Sequence, residues 1–238
     1  MKLEKKRVLV VGMARSGIAA AELLLRHGAI PVLSDMKLEE AFGDQLDSLR
    51  NTACVFRLGE DSVKLLDKAD ILMISPGVPI DAPVVKVAKE KGIPVVGELE
   101  LASSLLNGDM LAISGTNGKT TTTTLLGKIF ENAGRITHVA GNIGYPLSAV
   151  AISAKKEDVT VVEVSSFQLE SVKTFHPHVA ALLNITEDHL NRHGTMAQYI
   201  RMKQRIFENQ TADDTCVLNY EDEILRKFGE TLKTKVIY

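Results

Sequence analysis

The chain has 238 residues, 45% of them hydrophobic and 24% charged, with a net charge of −2. That balance suits a globular protein of one large or two small domains, and it gives no global electrostatic reason to bind nucleic acid or an anionic membrane. No apolar stretch reaches the ~18 residues of a membrane span, and the charged residues 1–7 run straight into a strand rather than a leader.

The two cysteines, Cys54 and Cys216, lack metal or redox spacing and fit small apolar roles in a reducing compartment. We therefore expect a cytoplasmic protein with no nucleic-acid or membrane partner.

From residue 7 the pattern alternates strand and helix. Val8-Leu9-Val10-Val11 is an unbroken aliphatic run, as expected of a strand buried on both faces. Gly12 ends it, residues 16–27 have helical spacing, and Gly28 closes the helix. Further strands are expected at 31–34, 53–58, 71–74 and 94–96, with a helix at 83–91 among the segments between them. This series predicts an open, mostly parallel α/β sheet of the Rossmann-like kind.

Gly12-Met13-Ala14-Arg15-Ser16-Gly17 stands where a dinucleotide site keeps G-x-G-x-x-G, with Ala14 in place of the middle glycine. Asp35 ends the second strand near the spacing of a ribose-binding acid. A nucleotide is one reading, and a tight turn with Asp35 as a cap is the other. Ser75-Pro76-Gly77 follows the fourth strand as either a ligand loop or a plain turn.

A helix at 98–106 ends in Asn107-Gly108, a turn signal that we take as the boundary between domains at 1–107 and 108–238. The second series has strands expected at 110–113, 136–140, 159–164, 179–184 and 215–218, and helices at 119–133, 196–208 and 221–228. Residues 236–238 read as the start of another strand, so the expectation is a second domain incomplete at its C-terminus and a chain that is a fragment.

Strand 110–113 leads into Gly115-Thr116-Asn117-Gly118-Lys119-Thr120-Thr121 and then a helix. Backbone N–H groups and the helix dipole converge there on an anion. Lys119 would reach the terminal phosphates, and Thr120 would meet Mg²⁺. The full pattern wants a glycine where Ile113 stands.

Glu163, at the end of strand 159–164, is either a metal ligand or a helix cap, although Ser165 and Ser166 suit capping better. His189, beside Asp188 after strand 179–184, is open between ligand and surface residue. His176, His178 and His193 take structural readings. Lys203 reads as a solvated helix-face lysine. Asn142, between Gly141 and Gly144, either contacts a polar ligand or tolerates a left-handed turn.

Taken in series, these motifs resemble the Mur ligase family. The matching pieces are the 115–121 loop, Gly141-Asn142-Ile143-Gly144, Glu163-Val164-Ser165-Ser166-Phe167-Gln168-Leu169-Glu170, Asn184-Ile185-Thr186-Glu187-Asp188-His189-Leu190 and Lys203-Gln204-Arg205-Ile206-Phe207. The Ser-Ser-Phe-Gln-Leu-Glu run and Ser75-Pro76-Gly77 point to the D-glutamate-adding branch. Folylpolyglutamate synthases share the central motifs but not the first domain.

The resemblance implies an ATP-dependent ligase that phosphorylates the carboxylate of UDP-N-acetylmuramoyl-L-alanine and couples it to D-glutamate in peptidoglycan synthesis. It implies ATP on Gly115, Thr116, Asn117, Gly118, Lys119, Thr120 and Thr121, with Lys119, His189 and Lys203 catalytic. One Mg²⁺ would take Thr120 and Glu163. A second would take His189 and Lys203, the latter carbamylated, which reverses the solvated reading.

The UDP group would lie on Ala14, Arg15, Ser16, Asp35, Ser75 and Gly77, with Asn142 contributing. The resemblance also implies a third, C-terminal domain that this sequence lacks. The expectation is therefore a piece without turnover whose first domain keeps weak UDP affinity. A nicotinamide dehydrogenase, a phosphate-loop kinase and a non-catalytic binding module are the rival readings.

Overall fold

The computed structural model describes residues 1–238. It divides into two compact units, Met1–Leu106 with Pro146–Ser153, and Asn107–Tyr145 with Ala154–Tyr238.

The first unit is a five-stranded parallel sheet of β1 (Arg7–Val11), β2 (Ile30–Asp35), β3 (Val55–Leu58), β4 (Ile71–Ile74) and β5 (Val95–Gly97), in the order β3-β2-β1-β4-β5. Its helices are α1 (Arg15–Arg26), α2 (Asp47–Arg50), α3 (Pro83–Glu90) and α4 (Glu98–Ser103). Alternate strand residues face opposite layers. Val8, Val10 and Met73 pack with Ala20, Ala21 and Leu24 of α1, while Leu9, Leu72 and Ile74 pack with Val84, Val85 and Ala88 of α3. Each fully buried Leu or Val contributes about 1.5–3 kcal/mol, and β1 is apolar from Val8 to Val11 because both of its faces are covered there.

The second unit holds β6 (Asp109–Ser114), α5 (Lys119–Asn132) and β7 (Thr137–Gly141), before the chain enters α6 (Leu147–Ala151). α6 belongs to the first unit and packs on α1 and α4. The buried Glu98 carboxylate accepts from Ser148 N–H at 2.7 Å at the start of α6, and burial raises its pKa. The second unit continues with β8 (Val159–Glu163), α7 (Ser166–Leu169), β9 (Val179–Leu182), α8 (Leu190–His193), α9 (Met196–Gln204), β10 (Thr215–Leu218), α10 (Glu223–Gly229) and β11 (Lys235–Ile237). Its six parallel strands run β11-β10-β9-β6-β8-β7.

In both sheets the connections leave in opposite directions from an inner strand, β1 in one and β6 in the other. Open α/β sheets bind ligands at the carboxyl ends of such strands. No helix is long and apolar enough to cross a membrane.

Candidate functional site

At the carboxyl edge of the first sheet, Ser75 Oγ donates to the Gly12 carbonyl at 2.6 Å, tying the turn after β1 to the end of β4. Asp35 spends one carboxylate oxygen on Met13 N–H at 2.8 Å and the other on Lys37 N–H at 3.0 Å. It therefore orders both neighbouring loops and keeps lone pairs for a ligand. Ala14 and Arg15 are exposed at the start of α1, with Ser16 half-buried beside them, and Gly77 is exposed past β4. The structure thus gathers Ala14, Arg15, Ser16, Asp35, Ser75 and Gly77 along one sheet edge.

In the second unit, β6 ends in the glycine loop. Gly118 caps α5 in the left-handed region, φ +79°, a conformation that glycine adopts without steric cost. Asn184, just past β9, holds the loop from below. Its Oδ1 accepts from Thr116 N–H at 3.1 Å and Asn117 N–H at 2.8 Å, and its Nδ2 donates to Asn117 O at 3.0 Å. Lys119 Nζ donates to Gly115 O and Thr116 O at 3.0 and 2.8 Å.

Thr120 Oγ1 donates to Glu163 Oε2 at 2.7 Å, and Asn142 Nδ2 donates to Glu163 Oε1 at 3.0 Å. The register of β7 on β8 places Gly141 opposite Glu163, which delivers Asn142 to that carboxylate. Ser165 makes the capping box of α7 with Gln168, so Glu163 is not needed as a cap.

The solvated reading of Lys203 is overturned. Lys203 is 2% exposed, its Nζ donates to Gly115 O at 2.7 Å, and it lies 4.8 Å from the centre of the Tyr199 ring. No carboxylate bonds it. Burial, then the nearby Lys119 charge, push its pKa down to about 7, with Asp188 opposing. Its amine is therefore substantially neutral near neutral pH. The physical reason is tertiary: α9 turns Tyr199 and Lys203, one helical turn apart, inward toward the phosphate loop.

His189 is exposed at the start of α8, where its ring lies 4.8 Å from Phe167 and 6.5 Å from Tyr199. No bond joins it to Lys203; the Tyr199 ring stands beside both. The sequence alone marks no role for Tyr199, and it marks Asn184 only as the first residue of the 184–190 motif. Tyr199 is buried and its hydroxyl meets Thr116 Oγ1 at 3.1 Å; its spacing from Lys203 was the available signal.

The structural readings of His193 and His176 match their bonds. His193 is buried against Ser166 Oγ at 2.9 Å, and His176 pairs with Asp214 at 2.6 Å. Cys216 is buried, which pushes its thiol up to about 12, and Cys54 is half-buried.

The donor set suits Mg²⁺. A hydroxyl that gives its proton to a carboxylate keeps lone pairs for a cation, and Mg²⁺ prefers one or two carboxylate-type oxygens shared with phosphate and water. No group of three or more His, Cys, Asp or Glu side chains forms an all-protein cage.

The Mur ligase middle-domain model matches residues 113–238, and the Mur ligase MurD-like N-terminal-domain model matches residues 6–97. The chain is 46% identical over its full length to the UDP-N-acetylmuramoylalanine–D-glutamate ligases of Alkaliphilus metalliredigens and Clostridioides difficile, covering 53% of each, and 47% identical to that of a Geobacter species, covering 52%. The chain thus spans about half the length of these relatives.

Among solved structures, the UDP-N-acetylmuramate:L-alanyl-gamma-D-glutamyl-meso-diaminopimelate ligase of Neisseria meningitides aligns with a TM-score of 0.67 at 20% identity, over 98% of this chain and 77% of that one. UDP-N-acetylmuramate-alanine ligase of Thermotoga maritima aligns at 0.55, also at 20% identity, over 98% and 53%. These two share the fold. With the two family models together matching most of its length, the chain belongs to the Mur ligase family.

Proposed function

We propose that the chain supplies the UDP-sugar-binding and ATP-binding parts of an ATP-dependent ligase that joins D-glutamate to UDP-N-acetylmuramoyl-L-alanine in peptidoglycan precursor synthesis. It would act in the cytoplasm, as a monomer. The substrates follow the name carried by relatives 44–48% identical over this chain. One observation carries the chemistry: the phosphate loop is bracketed by Thr120 bonded to Glu163 on one side and by the buried amine of Lys203 on the other.

A carboxylate resists attack by an amine because its oxygen is a poor leaving group. In the proposed reaction an acceptor carboxylate oxygen bonds the γ-phosphorus of ATP while the bridging P–O bond to ADP breaks. The amine nitrogen of D-glutamate then bonds the acyl carbon, loses its proton, and the C–O bond breaks to release phosphate. Lys119 would leave its loop carbonyls for the phosphates, whose charge must be offset throughout. The N–H groups of Gly115, Gly118, Thr120 and Thr121 would face the same phosphates, while those of Thr116 and Asn117 are held by Asn184 and fix the shape of the loop around them.

Thr120 and Glu163 would hold one Mg²⁺, and His189 with Lys203 a second. Bound Mg²⁺ supplies charge neutralisation on the phosphoryl oxygens. The buried, near-neutral Lys203 amine suits carbamylation. Its nitrogen bonds the carbon of CO₂, an electron pair moves to oxygen, and the N–H proton leaves, turning a would-be cation into an anionic oxygen donor. The UDP group would lie on Ala14, Arg15, Ser16, Asp35, Ser75 and Gly77, with Asn142 as a further substrate contact.

The test is phosphate release by the full-length gene product. It should require ATP, UDP-N-acetylmuramoyl-L-alanine and D-glutamate together. Release that ignores the amino acid, or that prefers L-glutamate, would overturn the assignment.

A further inference from the structure

A network beside the phosphate loop takes no part in the chemistry above. Glu170, just past α7, is joined to Arg192 of α8 by a two-point ion pair, Nε to Oε1 at 3.1 Å and Nη2 to Oε2 at 2.6 Å. Their side chains are 7% and 18% exposed. The guanidinium also lies over the Phe167 ring at 4.8 Å. That ring stands 4.8 Å from the His189 imidazole and 5.5 Å from the His193 imidazole, which Ser166 Oγ holds. Phe167 is thus a wall for His189, and Arg192 lies against the wall.

His189 needs such a wall. It adopts φ +52° without being glycine, and it caps α8 with no side-chain bond to the helix. A non-glycine residue held there costs about 1–3 kcal/mol and persists only where its surroundings fix it. Behind the pair, Arg205 donates to Leu169 O, Glu170 O and Val172 O at 2.7, 3.0 and 2.6 Å. Glu170 is therefore anchored at its backbone by the residue that follows α9, the helix of Lys203, and at its carboxylate by the helix that follows His189.

We infer that Glu170 and Arg192 are positioning residues that set the place and direction of the His189 imidazole through Phe167. A planar guanidinium bonded at two points and stacked on a ring has its rotation fixed, which a lysine cannot reproduce. The purpose of this placement rests on the proposed reading of His189 as a cation ligand, whereas the placement itself is measurable without any metal.

The experiment is proton NMR of the histidine rings at one fixed pH in the wild-type chain and in Arg192→Lys, Glu170→Gln and Phe167→Leu. Phe167→Leu gives the His189 shift without the neighbouring ring. His138, bonded to Asp158, reports that the fold is retained. Arg192→Lys and Glu170→Gln should each move the His189 signals toward the Phe167→Leu position and leave those of His138 in place.

Mn²⁺ added with ATP gives a second readout. Broadening of the wild-type His189 signals should need roughly 10–100-fold more Mn²⁺ in both variants, the usual cost of removing a group that orients a metal ligand. His189 signals unchanged in both variants would overturn the inference. Mn²⁺ with ATP that never broadens wild-type His189 would remove the cation reading alone, and the ring shifts would still decide the positioning role.

Discussion

Lys203 and Lys119 share one acceptor: each donates to the Gly115 carbonyl oxygen, at 2.7 and 3.0 Å. Two ammonium groups on one oxygen repel, and the buried one yields its proton more readily. Lys203 has a folded pKa of about 7 against 10.5 for an ordinary lysine. Between those values the unfolded chain binds more protons than the folded one, so stability from this group rises with pH across the window and is lost as pH falls through about 7. Urea melts of the wild-type chain, compared with Lys203→Met, should show a difference that grows in favour of the wild type by on the order of a few kcal/mol from neutral to pH 10. A pH-independent difference would show that Lys203 titrates normally.

Glu163 is 2% exposed, and both its oxygens are engaged, by Thr120 and Asn142. Glu163→Gln keeps the shape but removes the charge that would meet a divalent cation. Mn²⁺-dependent ATP binding, followed by calorimetry, should weaken by at least about tenfold, since even groups behind a metal ligand are worth that much. The variant should still melt cooperatively. Unchanged affinity would take Glu163 out of the metal site.

The Asn184 side chain makes three bonds to the phosphate loop. Replacing it with leucine strands the Asn117 N–H over a side chain that cannot accept, while the Thr116 N–H keeps the backbone carbonyl of residue 184 at 3.0 Å. A loss of about 1–3 kcal/mol is expected from an unsatisfied donor of this kind, read as a lower urea midpoint and weaker nucleotide binding together. If both stay at wild-type values, the loop is held by something else.

The sequence displays the alternation of strand and helix because its strands are aliphatic runs and its turns carry glycine. The phosphate loop is equally visible, with a buried strand before it and a helix after. Other features depend on tertiary placement. Asn142 reaches Glu163 only through the β7–β8 register, and Gly141 to Gly144 alone reads as a turn. Lysine is rarely buried unless paired, so nothing local marks Lys203 until α9 docks. α7 and α8 have four residues each, too few to show a period. Asn107-Gly108 is a strong turn signal, but no local pattern announces that Pro146–Ser153 groups with the first unit.

Gly141 offers a sharper test of how Asn142 is placed. Its φ is +104°, and a Cβ there would stand 2.2 Å from Glu163 O. Gly141→Ala must push β7 from β8 at the site. The predicted cost is at least about 1–3 kcal/mol, with loss of Mn²⁺-dependent ATP binding in whatever fraction remains folded. Normal stability and normal binding together would mean that the close approach at the end of β7 does not set the site.

The most direct test of the whole account follows one oxygen atom. UDP-N-acetylmuramoyl-L-alanine carrying oxygen-18 in its carboxylate should be turned over by the full-length gene product with ATP and D-glutamate, and the released phosphate analysed by mass spectrometry. Activation of the carboxylate by phosphoryl transfer predicts one oxygen-18 atom in each phosphate released during amide formation. Phosphate free of the label, with amide still formed, would contradict it.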